Sequence, residues 1–260
     1  MNVRSPRTKP SFPEFVTLVS MMMALTALSI DAMLPALPHI AQDLGTANPN
    51  DRQLVVSVIF LGLAVGQLFF GPLSDSVGRK PAIYAGFALY IIGSLLALAA
   101  PTFSVLLVGR ILQGLGVSAP RAVTLALVRD QYAGRAMARV MSFVMTVFIF
   151  VPMLAPTLGQ AILFAAGWRA IFGVFVLLTV ILLVWLALRQ PETLPKERRA
   201  PFSGGRIANA VMEILRNRVA LGYTLTAGLI SGAFIGYLNS SQQIFQEQYA
   251  LGDLFPVIFA

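Results

Sequence analysis

The sequence predicts an all-α polytopic membrane protein, and three observations carry that prediction. The 260 residues are 57% hydrophobic and 12% charged, with a mean hydropathy of +0.78, whereas a soluble domain carries about 25% charged residues. Apolar runs of bilayer length, about 20 residues, recur along the chain. Basic residues gather in the short segments between those runs. The chain has no cysteine, which excludes disulfides, thiolate metal sites and cysteine nucleophiles. His39 is the sole histidine, so multi-histidine metal centres are excluded as well, and neither a metal nor a cofactor is expected. The net charge of +8 is explained by the basic loops, and no nucleic-acid partner is expected.

Seven spans are predicted, over 15–36, 54–73, 82–100, 103–126, 138–163, 169–189 and 219–238, and an eighth begins near Leu254. Apolar residues on all sides, without strict alternation, mark helices rather than barrel strands. The first run is too long for a signal-peptide core and lacks a small-x-small cleavage site, so it is read as an uncleaved span. With the N-terminus cytoplasmic, the basic residues Arg4, Arg7, Lys9, Arg79, Lys80, Arg129, Arg135 and Arg139 all fall inside, as do those from Arg189 to Arg218. Only Arg52 and Arg169 fall outside, while Arg110 and Arg121 lie within the fourth span. This bias sets the orientation. Residues 190–218 form the longest polar connection, so the expected organisation is 1–189, a six-helix domain; 190–218, a cytoplasmic loop; and 219–260, an incomplete second domain. The stretch RIANAVMEILRN places Ile207, Val211, Ile214 and Leu215 on one face, which suggests a short helix on the inner membrane surface; an irregular linker is the other reading.

Two motifs carry a family resemblance. GPLSDSVGRKP (71–81) follows the second span, and its Gly71, Leu73, Asp75, Gly78, Arg79 and Lys80 resemble the loop signature of the major facilitator superfamily. Glycines permit a tight turn there. Asp75 is expected to accept backbone N–H groups at a helix start, with Arg79 and Lys80 anchoring the loop on the cytoplasmic side. In the fourth span, RILQGLGVSAP (110–120) resembles the superfamily pattern Arg-x-x-Gln-Gly-x-Gly through Arg110, Gln113, Gly114 and Gly116. Arg110, Gln113, Gly114, Val117, Arg121 and Thr124 fall on one narrow helical face, and such a polar stripe must face the bundle interior or a water-filled cavity. Further stretches, LSIDAMLPALP (28–38), VRD (128–130), VPMLAPTLG and GWRAIF (167–172), are similar to Bcr/CflA-type drug-resistance transporters. The fifth span departs from the Gly-Pro-x-x-Gly-Gly core of superfamily antiporters: Pro156 and Gly159 match, but Ala155 and Gln160 do not.

The resemblance implies the six-helix N-terminal half of such a transporter, a seventh helix and the start of an eighth, truncated before the second half is complete. It implies proton-coupled efflux of hydrophobic or cationic drug-like molecules across a bacterial inner membrane. Small organic substrates, protons and lipid are then the partners, with no obligate protein partner. The alternatives are a sugar or metabolite facilitator or symporter of the same superfamily, and a non-transporting membrane fragment. An enzyme is not expected, because no nucleophile–base pair or metal motif appears. Asp31, the sole acidic residue well inside a span, is expected to carry the proton together with Arg110. Arg110 is expected either to pair with Asp31 or to bond backbone carbonyls of the first helix. Gln113, Arg121, Thr124, Pro156 and Gly159 are candidate cavity-lining residues, although Arg121 is as readily read as snorkelling to the cytoplasmic headgroups. Gly62 and Gly66, like Gly228, Gly232 and Gly236, are expected to form close, moving packing surfaces. The cluster Asn239, Ser240, Ser241, Gln242 and Gln243 is expected to cap the seventh helix, with bonding to substrate as the other reading.

Overall fold

Inside a bilayer every backbone N–H and C=O must be paired within the protein, and long apolar segments achieve this as helices. A computed structural model describes residues 10–46 and 48–260. Arg4, Arg7 and Lys9 lie outside the described residues. Among the described residues, seven helical segments are long and apolar enough to cross a membrane.

Helix α1 (Phe12–Asp31) starts earlier than 15 because Ser11 caps it, accepting from Glu14 N at 3.4 Å. It ends soon after Asp31. A 3-10 turn at Leu34–Ala36 leads into the short α2 (Leu37–Asp43), each with a proline in its first positions, where a missing amide donor is tolerated. Helix α3 (Leu54–Val77) continues beyond 73, through Pro72. Much of the expected loop signature is therefore helical, and Gly71 lies inside α3 rather than in a turn. The turn is the single residue Gly78, whose φ of +110° suits glycine, and α4 (Arg79–Leu98) begins immediately after it.

Thr102 caps α5 (Phe103–Gln131), and α6 (Gly134–Ala166) runs through both Pro152 and Pro156 without breaking. Gly167, at φ +79°, turns the chain into α7 (Trp168–Arg189). After the polar connection come α8 (Gly204–Arg216) and α9 (Arg218–Gln243), separated by Asn217. The Asn217 side chain accepts from Val219 N at 3.0 Å and Ala220 N at 3.1 Å. The short α10 (Phe255–Phe259) occupies the place of the expected eighth span.

Helix α5 packs between α3 and α4, and small residues make both contacts possible. On the α3 side Gly62 and Gly114 meet backbone to backbone, so that a Cβ on either would overlap a carbonyl of the other helix (Ile111 or Ile59). On the α4 side Gly86, Gly93, Gly109 and Gly116 play the same part. Helix α6 approaches α1 where Gly159 lies against the Ala32 carbonyl. Helix α9 differs: Gly222, Gly228, Gly232 and Gly236 have no atom within 4 Å of a built Cβ. The glycines of the second and seventh spans are thus not equivalent, and those of α9 form no close packing surface among the described residues. Met21 is exposed while Met22 and Met23 are buried, as expected for neighbours pointing around a helix.

Candidate functional site

A cavity of about 410 Å³ lies between α1, α3, α5, α6 and α9. Its wall is mostly apolar and aromatic, including Phe60, Phe148 and Phe234, with Thr26, Gln67 and Ser231 as neutral polar groups. Two ionisable side chains reach it, Asp31 from α1 and Arg121 from α5. Asp31 is 3% exposed, and its Oδ1 has no hydrogen-bond partner among the described residues. An unpaired carboxylate in apolar surroundings is costly as an anion. A proton, or a cationic group entering the cavity, removes that cost. The Arg121 guanidinium lies 5.8 Å from the centre of the Phe148 ring, within cation–π range.

Of the residues expected to line a cavity, only Arg121 does so. Gln113, Thr124, Pro156 and Gly159 are buried away from it, Gln113 bonding Ser94 and Gly159 lying against the Ala32 carbonyl. The stripe on α5 does face the interior, but most of it is consumed in packing. On α6 it is Pro152, one turn before Pro156, that reaches the cavity.

Arg110 does not pair with Asp31. It is wholly buried and donates to three acceptors: Val55 O, Ser29 O and Gln113 Oε1, each at 2.9 Å. The second sequence-based alternative, bonding to a carbonyl of the first helix, is therefore the geometry found. Gln113 Nε2 donates to Ser94 Oγ at 2.7 Å, and Ser29 Oγ shares a hydrogen bond with the Tyr90 hydroxyl at 2.5 Å. A cation taken out of water requires such acceptors, and here they bind α1, α3, α4 and α5 together. Ser29 sits two residues from Asp31 on α1. Ser29, Tyr90 and Ser94 escape sequence reading, because the groups that bond Arg110 most directly are backbone carbonyls.

A second polar network closes the basic end of the bundle. Arg79 donates to Asp75 Oδ1 at 2.5 Å, to Asp130 Oδ2 at 3.0 Å and to Ser74 Oγ at 2.9 Å. Asp75 does not accept backbone N–H groups at the start of α4. Glu192 does, taking Arg79 N and Lys80 N at 3.0 Å each. Asp75 belongs to the last turn of α3 and cannot cap the next helix. Lys80 Nζ reaches the carbonyls of Ala187, at 3.3 Å, and Gln190. Arg79 and Lys80 are thus buried within protein rather than spread on a membrane surface.

At the opposite end, the polar cluster on α9 lies within the helix rather than beyond it. Gln53 Nε2 donates to Gln243 Oε1 at 2.8 Å, and Ser57 Oγ to Asn239 Oδ1 at 3.2 Å. These side chains join α9 to α3 instead of capping the helix. There too, Asp43 Oδ2 accepts from Trp168 Nε1 at 2.9 Å and Arg169 at 3.0 Å, tying α2 to α7.

Comparison with known proteins places this arrangement. A family model described as Major Facilitator Superfamily matches residues 19–260. The chain is 35% identical over 245 residues to the uncharacterized MFS-type transporter YdgK of Bacillus subtilis, covering 93% of this chain and 61% of that protein. It is 31% identical to the bicyclomycin resistance protein homolog of Haemophilus influenzae, over 91% of this chain and 59% of the relative. It is 33% identical to the multidrug resistance protein MdtL of Klebsiella pneumoniae, over 84% and 55% respectively. The chain therefore spans little more than half the length of these curated relatives. Among solved structures, the fold is similar to the human organic anion transporter MFSD10 (TM-score 0.73, 19% identity, 96% of this chain and 70% of that one). It is also similar to a D-xylose-proton symporter (TM-score 0.68, 15% identity, 94% and 63%).

Proposed function

Because the chain belongs to the Major Facilitator Superfamily, we propose that it supplies the proton-coupling half of an exporter for hydrophobic or cationic drug-like molecules. The observation that carries this reading is Asp31: a buried carboxyl, unpaired at Oδ1 among the described residues, on the wall of an aromatic cavity. A carboxyl in that position exchanges a proton for a cationic or polar group of the substrate as access to the cavity changes. Arg110, held by three acceptors, is a positioning residue in this reading. It fixes α1 at Ser29 and thereby fixes Asp31. Arg121 is the second ionisable group on the cavity wall.

Residues 1–189 then act as a six-helix unit, 190–218 as the connection, and 219–260 as the beginning of a second unit. The fold is an integral membrane one. The basic end carrying Arg79, Lys80 and Arg189 faces the cytoplasm, as does the N-terminus, in a bacterial inner membrane. The names of two relatives, a bicyclomycin resistance homolog and a multidrug resistance protein, support drugs as the substrate class.

The test uses everted membrane vesicles from cells expressing the gene, with uptake of a lipophilic cationic dye as readout. Uptake driven by an imposed pH gradient is expected for the native protein and lost in Asp31→Asn, while the variant still reaches the membrane in full amount. Gradient-dependent uptake by Asp31→Asn at the native rate refutes the assignment. Gradient-independent exchange by the native protein refutes proton coupling and favours a facilitator.

A further inference from the structure

Helix α8 is the most strongly two-sided element of the molecule. Viewed down its axis, Arg206, Asn209, Glu213 and Arg216 occupy one arc. Ile207, Val211, Ile214 and Leu215 occupy the other. No residue of α8 is buried, and Val211, Met212, Ile214 and Leu215 are exposed. An apolar face of this kind in water is unfavourable, so its surroundings need an apolar medium.

One end of the segment is held by the end of α3 and the other by the start of α9. Upstream, Ala200 N donates to Asp75 O at 3.0 Å, in the last turn of α3. Phe202, Arg206 and Ile207 share a hollow with Pro72 and Asp75. Downstream, one residue, Asn217, separates α8 from the first turn of the membrane span α9. A helix of 13 residues, about 20 Å long, running from the end of one span to the start of another, lies along the bilayer surface rather than across it. The segment is also strongly basic: Lys196, Arg198, Arg199, Arg206, Arg216 and Arg218 stand against Glu197 and Glu213.

We propose that α8 is an interfacial helix that binds the anionic phospholipid surface at the basic end of the bundle. Its apolar arc enters the headgroup–acyl boundary, and its arginines contact lipid phosphates. The anchor is joined to the clasp around Arg79, because the segment entering α8 is bonded to Asp75 O and Arg206 lies in the hollow beside Asp75. This inference rests on membrane insertion and not on the transport reading.

The chain has no cysteine, so single nitroxide labels report cleanly on depth. Val211→Cys and Ile214→Cys are made alongside Asn209→Cys and Glu213→Cys, in proteoliposomes of phosphatidylcholine with and without phosphatidylglycerol. In the mixed bilayers, labels at 211 and 214 are expected to collide with oxygen and be shielded from a water-soluble nickel complex. Labels at 209 and 213 are expected to show the reverse. Arg206→Gln with Arg216→Gln is expected to lower the docked-to-undocked ratio about fivefold per arginine in mixed bilayers only, and the corresponding lysine pair to restore it. Water accessibility at 211 and 214 in both bilayers overturns the proposal. So does equal burial with and without phosphatidylglycerol, which removes the charge recognition. Shielding from both quenchers in detergent means protein covers the face, and also overturns it.

Discussion

Gly62→Ala tests the central packing of the fold. A Cβ at Gly62 stands 2.9 Å from Leu115 N and 3.1 Å from the Gly114 Cα, and it overlaps the Ile111 carbonyl. Ordinary carbon contacts lie at about 3.5–4.0 Å. Both helices meet here through backbone, so no side chain is free to swing aside. Helices α3 and α5 must therefore separate by roughly 0.5–1 Å, and a gap of that size forfeits a quarter to a half of each well lost. Overpacking of this kind costs about 1–3 kcal/mol. The same change in α9, Gly232→Ala, meets no atom within 4 Å and is expected to gain up to about 1 kcal/mol from helix propensity. Thermal unfolding of the two purified variants, followed by tryptophan fluorescence in one detergent, gives opposite shifts in Tm. Gly62→Ala with a native Tm refutes the backbone-to-backbone contact. A large loss in Gly232→Ala shows that α9 is closely packed after all.

Three other outcomes follow from the polar networks. Arg110→Met is expected to leave the Ser29 and Val55 carbonyls and the Gln113 amide oxygen without this donor, costing about 1–3 kcal/mol for each group left unpaired; thermal unfolding of purified protein measures it, and a neutral effect contradicts the brace. Glu192→Gln weakens the acceptor for Arg79 N and Lys80 N, so trypsin cleavage after Arg198 and Arg199 is expected to quicken several-fold in limited proteolysis at fixed protease. Arg189→Gln removes a pair with Glu14 that is half open to solvent on the arginine side, so a Tm close to the native value is expected, and a clear fall in Tm speaks against a surface pair.

The spans were legible because bilayer length and hydropathy are properties of contiguous residues. The helix ends were not. Pro72 belongs to the expected loop signature, yet it sits inside continuous α3; Pro152 and Pro156 lie within α6, inside the predicted fifth span, as spanning helices allow when neighbours re-pair the freed groups. The stripe on α5 showed that Arg110, Gln113 and Thr124 face inward. Periodicity has no means of separating an inward face that packs from one that lines a cavity. Asp31 and Arg121 both line the cavity because α1 and α5 bring them there, which is a property of tertiary packing. Glu192 lies 113 residues beyond Arg79, in a stretch whose composition reads only as a polar connection. Its role is set by Gly78, which exposes two consecutive amides to whatever acid arrives.

That distance along the chain has a consequence for synthesis. Spans α3 and α4 leave the ribosome long before residue 192 is made, since the chain is built from its N-terminus. Until then the amides of Arg79 and Lys80 lack the carboxylate that later receives them, and Lys80 lacks the carbonyls of residues 187 and 190. The turn between the second and third spans is thus provisional during insertion and becomes fixed when the sixth span has entered the membrane. Glu192 joins the start of the third span to the segment beyond the sixth only after both have been made.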